Sequence, residues 1–302
     1  MTSTLSVCGV KFSIEDRLLR VASLDGDKYI FLDDAQPVVE GLRSSRSGVD
    51  LFTFIQRVSE TTPKYSYPME WDNFAALRIT TFDDWWSHEL KPKRRNAARQ
   101  AEKKGVTLCE TPFDNALVEG IRRIYSESPI RQGKRFPHYG KSFEDVRGYA
   151  GTFLDRSVFI GAFFNETLIG FAKLTIDHTN IQAGLMHIMS MLEHRDKSPT
   201  NALIAQAVRS CADRRVPFLV YSKFAYGRKQ SDSLSDFKRY MGFQRVNVPR
   251  YYVPLTAMGA FGFRMGLHRR LIDRLPEPVI AMLREVRAGF YRRRFQSNGG
   301  EG

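Results

Sequence analysis

The stretch SPIRQGKRFPHYGK, residues 128–141, gathers Arg131, Lys134, Arg135, His138, Tyr139 and Lys141 into one short segment. Pro129 and Pro137 oppose a helix there, and Gly133 and Gly140 permit tight turns, so the segment reads as a loop. Cations interleaved with Phe136 and Tyr139 suit a lip over an anionic or acyl ligand, because arginine can take a carboxylate or phosphate in two parallel hydrogen bonds. A solvated basic loop is the plain alternative. A second group, EHRDKSPTN at 193–201, sets Arg195, Lys197, Ser198, Thr200 and Asn201 around the start of an apolar helical stretch. Unpaired N–H groups and the positive end of the helix dipole favour a phosphate at such a place. An ordinary cap formed by Ser198 or Thr200 explains the same residues.

Charge is concentrated rather than spread. The chain of 302 residues has a net charge of +13. Residues 91–104, KPKRRNAARQAEKK, carry +6, and residues 262–294, with nine arginines against Asp273, Glu277 and Glu285, carry another +6. The first segment, with Arg94, Arg95 and Arg99, would suit nucleic acid, lipid phosphate or a nucleotide-linked precursor, or it is a solvated helix face. No base-reading motif accompanies it. The second alternates Leu271, Ile272, Leu275, Val279, Ile280, Leu283 and Val286 with arginines, the pattern of an amphipathic helix that packs on the domain or lies on an anionic membrane. Cys8, Cys109 and Cys211 are too scattered for a disulfide framework or a zinc site, and the six histidines have no metal-ligand spacing. No window is apolar enough to span a bilayer and the N-terminus lacks a signal-peptide core, so a cytoplasmic protein, peripheral at most at the inner membrane face, is expected.

The elements that must position these residues are short. GVKFSI, YIFLDD and LFTFIQ read as strands in a β-rich N-terminal region, 1–80. Residues 81–104 read as a helix that Asp83 or Asp84 caps and Pro92 splits. From residue 105 to 256 the order is strand, helix, helix, three strands, helix, strand, helix, strand, with NET at 165–167 as a hairpin turn and Ser142 and Asp145 as a capping box. The three strands make an antiparallel meander, and the helix near 200–215 makes a crossover to a parallel neighbour. The expected class is α/β: a mixed, mostly antiparallel sheet with helices on both faces, followed by a C-terminal basic helical segment at 257–302.

This order over 105–256 resembles the GNAT acyltransferase fold. KRRNAARQAEKKGV resembles the Arg/Lys-rich helix that precedes the sheet in the Fem-type branch, whose members join amino acids to cell-wall precursors. SDSLSDFKRYMGF resembles the FK helix of that branch, and IYSESPIRQGKRFPHYGK with RDKSPTNALIAQAV resembles a group of uncharacterised GNAT-like proteins. Two departures stand out. The loop EHRDKSPTN has none of the glycines common in acetyl-CoA enzymes, and Lys238 stands where those enzymes often carry a tyrosine acid. Both favour an aminoacyl or unusual acyl donor.

The resemblance implies an N-acyltransferase that moves an acyl or aminoacyl group from a thioester or ester (acyl-CoA or aminoacyl-tRNA) to an amine through a tetrahedral intermediate. It implies no tightly bound cofactor, with acyl-CoA as a co-substrate at most. The donor would lie at Arg195, Lys197, Ser198, Thr200 and Asn201, in a splay between strands 181–192 and 217–223. Glu127, Arg131, Arg135, His138, Tyr139 and Lys141 would line the acceptor groove. Lys238 would hold the oxyanion, with Glu193, His194 or Asp177 as base, while His187, inside LMHIMS, is read as a core residue. The competing class is a non-catalytic GNAT-like module that holds nucleic acid or anionic lipid through its basic segments.

Overall fold

The computed structural model describes residues 2–45, 47–225 and 233–269. Strands β1 (Thr2–Val7), β2 (Val10–Asp16) and β3 (Arg20–Leu24) lead to helix α1 (Gln36–Ser44), then β4 (Leu51–Ile55) and β5 (Met69–Arg78). Helix α2 (Phe82–Asp84) runs into a π-turn at Trp85–Glu89, and α3 (Pro92–Lys103) and β6 (Thr107–Thr111) follow. Next come α4 (Asn115–Ser126), the two-residue strands β7 (Ile130–Arg131) and β8 (Lys134–Arg135), and α5 (Phe143–Ala150). Strands β9 (Ser157–Phe164), β10 (Thr167–Ile176) and β11 (Gln182–Ser190) precede α6 (Pro199–Asp213), β12 (Phe218–Lys223), α7 (Ser233–Tyr240), β13 (Gln244–Pro254) and α8 (Ala257–Arg264). The basic stretch beyond residue 269 lies outside the described residues.

The described elements gather into two compact units, one drawn from residues 2–89, 175–185 and 211–269, the other from 90–174 and 186–210. In the first unit the strand order is β1-β2-β3-β4-β13-β5-β12-β11, so the late strand β13 inserts between β4 and β5 and pairs antiparallel with both. The ladders β3–β4 and β11–β12 are parallel. The second of these is the crossover expected through α6, and it lasts only from Gln182–Gly184 against Phe218–Val220. Beyond it β12 shifts register against β5 between Val220 and Lys223, with Ser222 at φ 52°. The core stacks Phe52, Phe54 and Tyr251, on which Val38, Val39 and Leu42 of α1 close.

Two readings of this part of the chain are corrected. YIFLDD is loop, not strand: Phe31 is buried, and the ring of Tyr29 fills the space beside Gly184, where a Cβ would meet it at 2.5 Å. The cap before Phe82 is Thr81, whose hydroxyl accepts the N–H of Asp84; neither Asp83 nor Asp84 has this role. Helix α1 and strand β5 are also unforeseen. β5 is buried only over Phe74–Leu77, where it lies between β13 and β12.

In the second unit the order is β11-β10-β9-β6, with β6 antiparallel to β9. Asn165 and Glu166 join β9 to β10 with φ of 47° and 62°, the two left-handed residues of a tight hairpin turn. Pro92 restarts the helix as α3, and Ser142 with Asp145 forms the full capping box of α5. The basic loop is itself a small hairpin, Ile130 opposite Arg135 and Arg131 opposite Lys134, turned by Gln132 and Gly133. Its base is anchored by Phe136, buried with Tyr125, Val146 and Phe171 in the core of this unit.

Candidate active site

Lys173 interrupts the apolar run of β10 and has no exposed surface. Its position follows from the end of α5. That helix stops at Ala150 and leaves carbonyls without helical partners. The Lys173 ammonium donates to the carbonyl of Ala150 at 2.8 Å, to the carbonyl of Thr152 and to the Thr152 hydroxyl at 3.2 Å, which uses its donor capacity. It also lies 5.3 Å from the centre of the Phe159 ring. Among the described residues no carboxylate balances it, and burial lowers its pKa to about 8.

Beside this lysine four rings run in series. Tyr125 of α4 stacks on His138 of the basic loop at 4.9 Å, His138 meets Tyr149 of α5 at 4.5 Å, and Tyr149 meets His187 of β11 at 4.8 Å. Burial, then the Lys173 charge, then His138 push the His187 pKa down to about 4. Burial and then Lys141 lower that of His138. Both imidazoles are therefore neutral near pH 7. Burial raises the pKa of Tyr125 and of Tyr149, which keeps both phenols protonated. Nδ1 of His138 is buried without a partner, and the His187 ring makes no hydrogen bond among the described residues. Two uncharged imidazoles with unused nitrogens can accept protons from a bound nucleophile. Of these groups only His138 was expected at the site. His187 was taken for a core residue, and Lys173 and Tyr149 were not singled out.

The other expected acceptor residues divide. Glu127 accepts the backbone N–H of Leu192 at 2.8 Å, that of Glu193 at 2.9 Å and the Arg131 guanidinium at 2.7 Å. Arg131 also donates to the carbonyls of Ser190 at 2.9 Å and Ile124 at 2.8 Å. This pair braces the end of β11 against α4, so the fork of Arg131 is not open to a ligand. Arg135 and Tyr139 are exposed, and Lys141 is half-buried. Glu193 is exposed beyond the end of β11. The His194 ring lies 5.6 Å from Phe164, away from the series of rings, and its Nδ1 is buried without a partner.

At the expected donor site Ser198 is left-handed at φ 55° just before α6. The Thr200 hydroxyl bonds that of Ser190 at 2.9 Å, and Asn201 is buried with an unpartnered side-chain oxygen. Lys197 lies 3.5 Å from Asp196 and over the Phe164 ring, while Arg195 is exposed. On α3, Arg95 donates to the carbonyl of Leu90, Arg94 is half-buried and Arg99 exposed. In the first unit, Lys238 is fully buried instead of opening on a cleft. Its ammonium donates to the carbonyl of Lys223 and lies 4.8 Å from the Tyr221 ring centre. Asp177, the third candidate base, is locked on Arg57 at 2.8 Å.

The chain has a GNAT-like fold of the Fem type, a mixed and mostly antiparallel sheet with helices. Among solved structures it is similar to L-PGS from Bacillus licheniformis, with a TM-score of 0.58 at 12% identity over 91% of this chain and 90% of that one. It is similar to the C-terminal domain of a protein described as a lysylphosphatidylglycerol synthetase from Agrobacterium fabrum, with a TM-score of 0.56 at 12% identity over 87% of each chain. FemX aligns with a TM-score of 0.54 at 9% identity over 82% of this chain and 87% of its own. Identities this low establish the fold alone. No protein-family model and no curated protein matches the chain.

Proposed function

We propose that the protein transfers an acyl or aminoacyl group from an ester or thioester to an amine, with the amine seated against His187 and His138. The observation that carries this reading is the pair of neutral, half-buried imidazoles held in series with Tyr149 beside the buried Lys173. The amine nitrogen attacks the donor carbonyl carbon and an imidazole takes its proton. The carbon–oxygen or carbon–sulfur bond then breaks, and the departing alkoxide or thiolate is protonated. The fold shared with FemX and with lysylphosphatidylglycerol synthetase supports an aminoacyl donor, as does the glycine-free start of α6. Aminoacyl-tRNA is the first donor to offer and acyl-CoA the second. The cationic α3 suits the tRNA phosphates.

The test supplies each donor with a panel of amines and follows release of free tRNA or thiol. Turnover that falls about a hundredfold in His187→Ala supports the assignment, since a general base is worth that much or more. Wild-type rates in both His187→Ala and His138→Ala remove these residues from the chemistry. A module that only binds polyanions is favoured by the internal bracing of Arg131 and the burial of Lys238. It would show no turnover, together with tRNA binding that weakens steeply with salt.

A further inference from the structure

Helix α8 turns Gly259 and Gly262 to the protein and large apolar residues to solvent. A Cβ on Gly259 would meet the backbone oxygen of Asp50 at 1.9 Å, and one on Gly262 the side chain of Leu19 at 2.5 Å, so this face lies hard against the first unit. Both ends are fixed. The Thr256 hydroxyl accepts the N–H of Gly259 at 3.0 Å and donates to Asp50 at 2.8 Å. Past the C-terminus, Glu70 holds His268 at 3.1 Å and Arg269 at 2.6 Å, and Phe263 stacks on His268. The helix therefore cannot roll to hide its outer face. That face presents Met258, Phe261 and Met265, spaced three and four apart and 55%, 57% and 59% exposed. Leu18 adds 72% exposure next to Leu19, the residue beneath Gly262.

The charge on the helix segment itself has one sign. From Ala257 to Ile272 the sequence has no acidic residue, while Arg264 is exposed on the outer side and Arg269 follows. We propose that this face of α8 docks on the surface of an anionic lipid bilayer, with Phe261, Met258, Met265 and Leu18 entering the boundary between headgroups and acyl chains and Arg264 meeting lipid phosphates. Four half-exposed side chains offer on the order of a few hundred Å², well short of the roughly 800 Å² per partner of a stable protein interface. A bilayer needs less, because a few inserted side chains add to the attraction of cations for anionic headgroups. No helix among the described residues is long and apolar enough to cross a membrane, so the contact is with one face only. The proposal stands apart from the transfer chemistry, and its test needs no substrate.

The full chain is sedimented with phosphatidylcholine vesicles, with and without phosphatidylglycerol. Binding to the anionic vesicles alone, weakened by salt, is expected. Phe261→Ser should reduce it about tenfold, the value of withdrawing one large apolar side chain from burial. Arg264→Glu should reduce the preference for anionic lipid. Phe261→Trp gives a second readout independent of any loss of folding in the serine variant: its emission should shift to the blue on adding anionic vesicles. Wild-type binding by Phe261→Ser, or no shift from Phe261→Trp, would overturn the proposal. So would a lipid-free dimer that Phe261→Ser dissociates, which would make a second copy the occupant, or a blue-shifted Phe261→Trp emission before any lipid is added, which would mean the chain covers the face itself.

Discussion

Two groups of ionisable residues, one in each unit, are withdrawn from water in opposite ways. In the first unit Arg57 and Arg250 meet carboxylates. Arg57 and Asp177 pair at 2.8 Å with 3% and 1% of their side chains exposed, and Arg250 takes Asp72 at 2.7 Å and Asp27 at 2.8 Å. Burial works against the charge on Arg250, but Asp27 and Asp72 outweigh it and raise its pKa. Burial likewise works against the Asp177 carboxylate, and the Thr179 hydroxyl, Arg57 and two backbone N–H groups outweigh it and lower its pKa. These groups stay charged across the neutral range. In the second unit Lys173 is buried and His187 and His138 are half-buried, with no carboxylate among their partners in the described residues, and their pKa values fall. Paired burial makes charges permanent and structural; unpaired burial makes groups that can exchange protons. This contrast, and not proximity to a sequence motif, is the reason the proposed transfer is assigned to the second unit.

The sharpest way to break the contrast is in the first unit. Asp177→Ala leaves Arg57 buried without its nearest carboxylate and strips an acceptor from the backbone N–H groups of Ile181 and Gln182. A loss of about 3–5 kcal/mol in denaturant unfolding is expected. A loss under about 1 kcal/mol would mean that this pair is no more structural than the groups of the second unit.

Next in size is Lys173→Met, which keeps the stem but leaves the carbonyls of Ala150 and Thr152 without their donor, at a cost of about 1–3 kcal/mol. Its pH signature is more telling. With a folded pKa of about 8 against 10.5 for a free lysine, the unfolded chain binds more protons between those values, so wild-type stability rises with pH across that window. The methionine variant should lack the rise. His187→Asn makes the companion test on the acid side. The folded imidazole titrates near 4 against 6.5, so its contribution is complete above about 6.5 and is lost as the pH falls towards 4. The asparagine variant should flatten that limb, and acid unfolding curves of the two proteins decide it.

What the sequence discloses follows the range of the interactions. The hairpin at Asn165–Glu166, the capping box of Ser142 and Asp145, and the helix restart at Pro92 were legible because each is set by residues within a few positions. The insertion of β13 between β4 and β5 was not, since nothing local says which strands pair. The site divides in the same way. His138 was noticed because it stands in a crowded loop. His187 was passed over because LMHIMS reads as a core strand, and only the fold brings Tyr149 against it. One signal was available: Lys173 at the centre of the apolar run GFAKLT, a position where a lysine must find acceptors or lose its proton. Glu127 and Arg131 mislead for the converse reason, because their abundance of polar atoms is spent on backbone groups of α4 and β11 that the sequence does not place nearby.

The smallest effect on stability separates two arginines of one loop. Arg131 is a brace, and its replacement by alanine should destabilise by about 2 kcal/mol by leaving Glu127 and two carbonyls short of a donor. Arg135, opposite Ile130 in the same hairpin, is exposed, so Arg135→Ala should change stability by less than about 0.5 kcal/mol. If the hairpin is a lip over an anionic acceptor, that silent substitution should still raise the KM for an acceptor bearing a carboxylate or phosphate, with kcat nearly unchanged. The effect should vanish for an uncharged acceptor, because the arginine then has nothing to grip. An equal KM for both acceptors in the variant and the wild type would assign the cations of the loop to solvent and confine binding to the rings of His138, Tyr149 and His187.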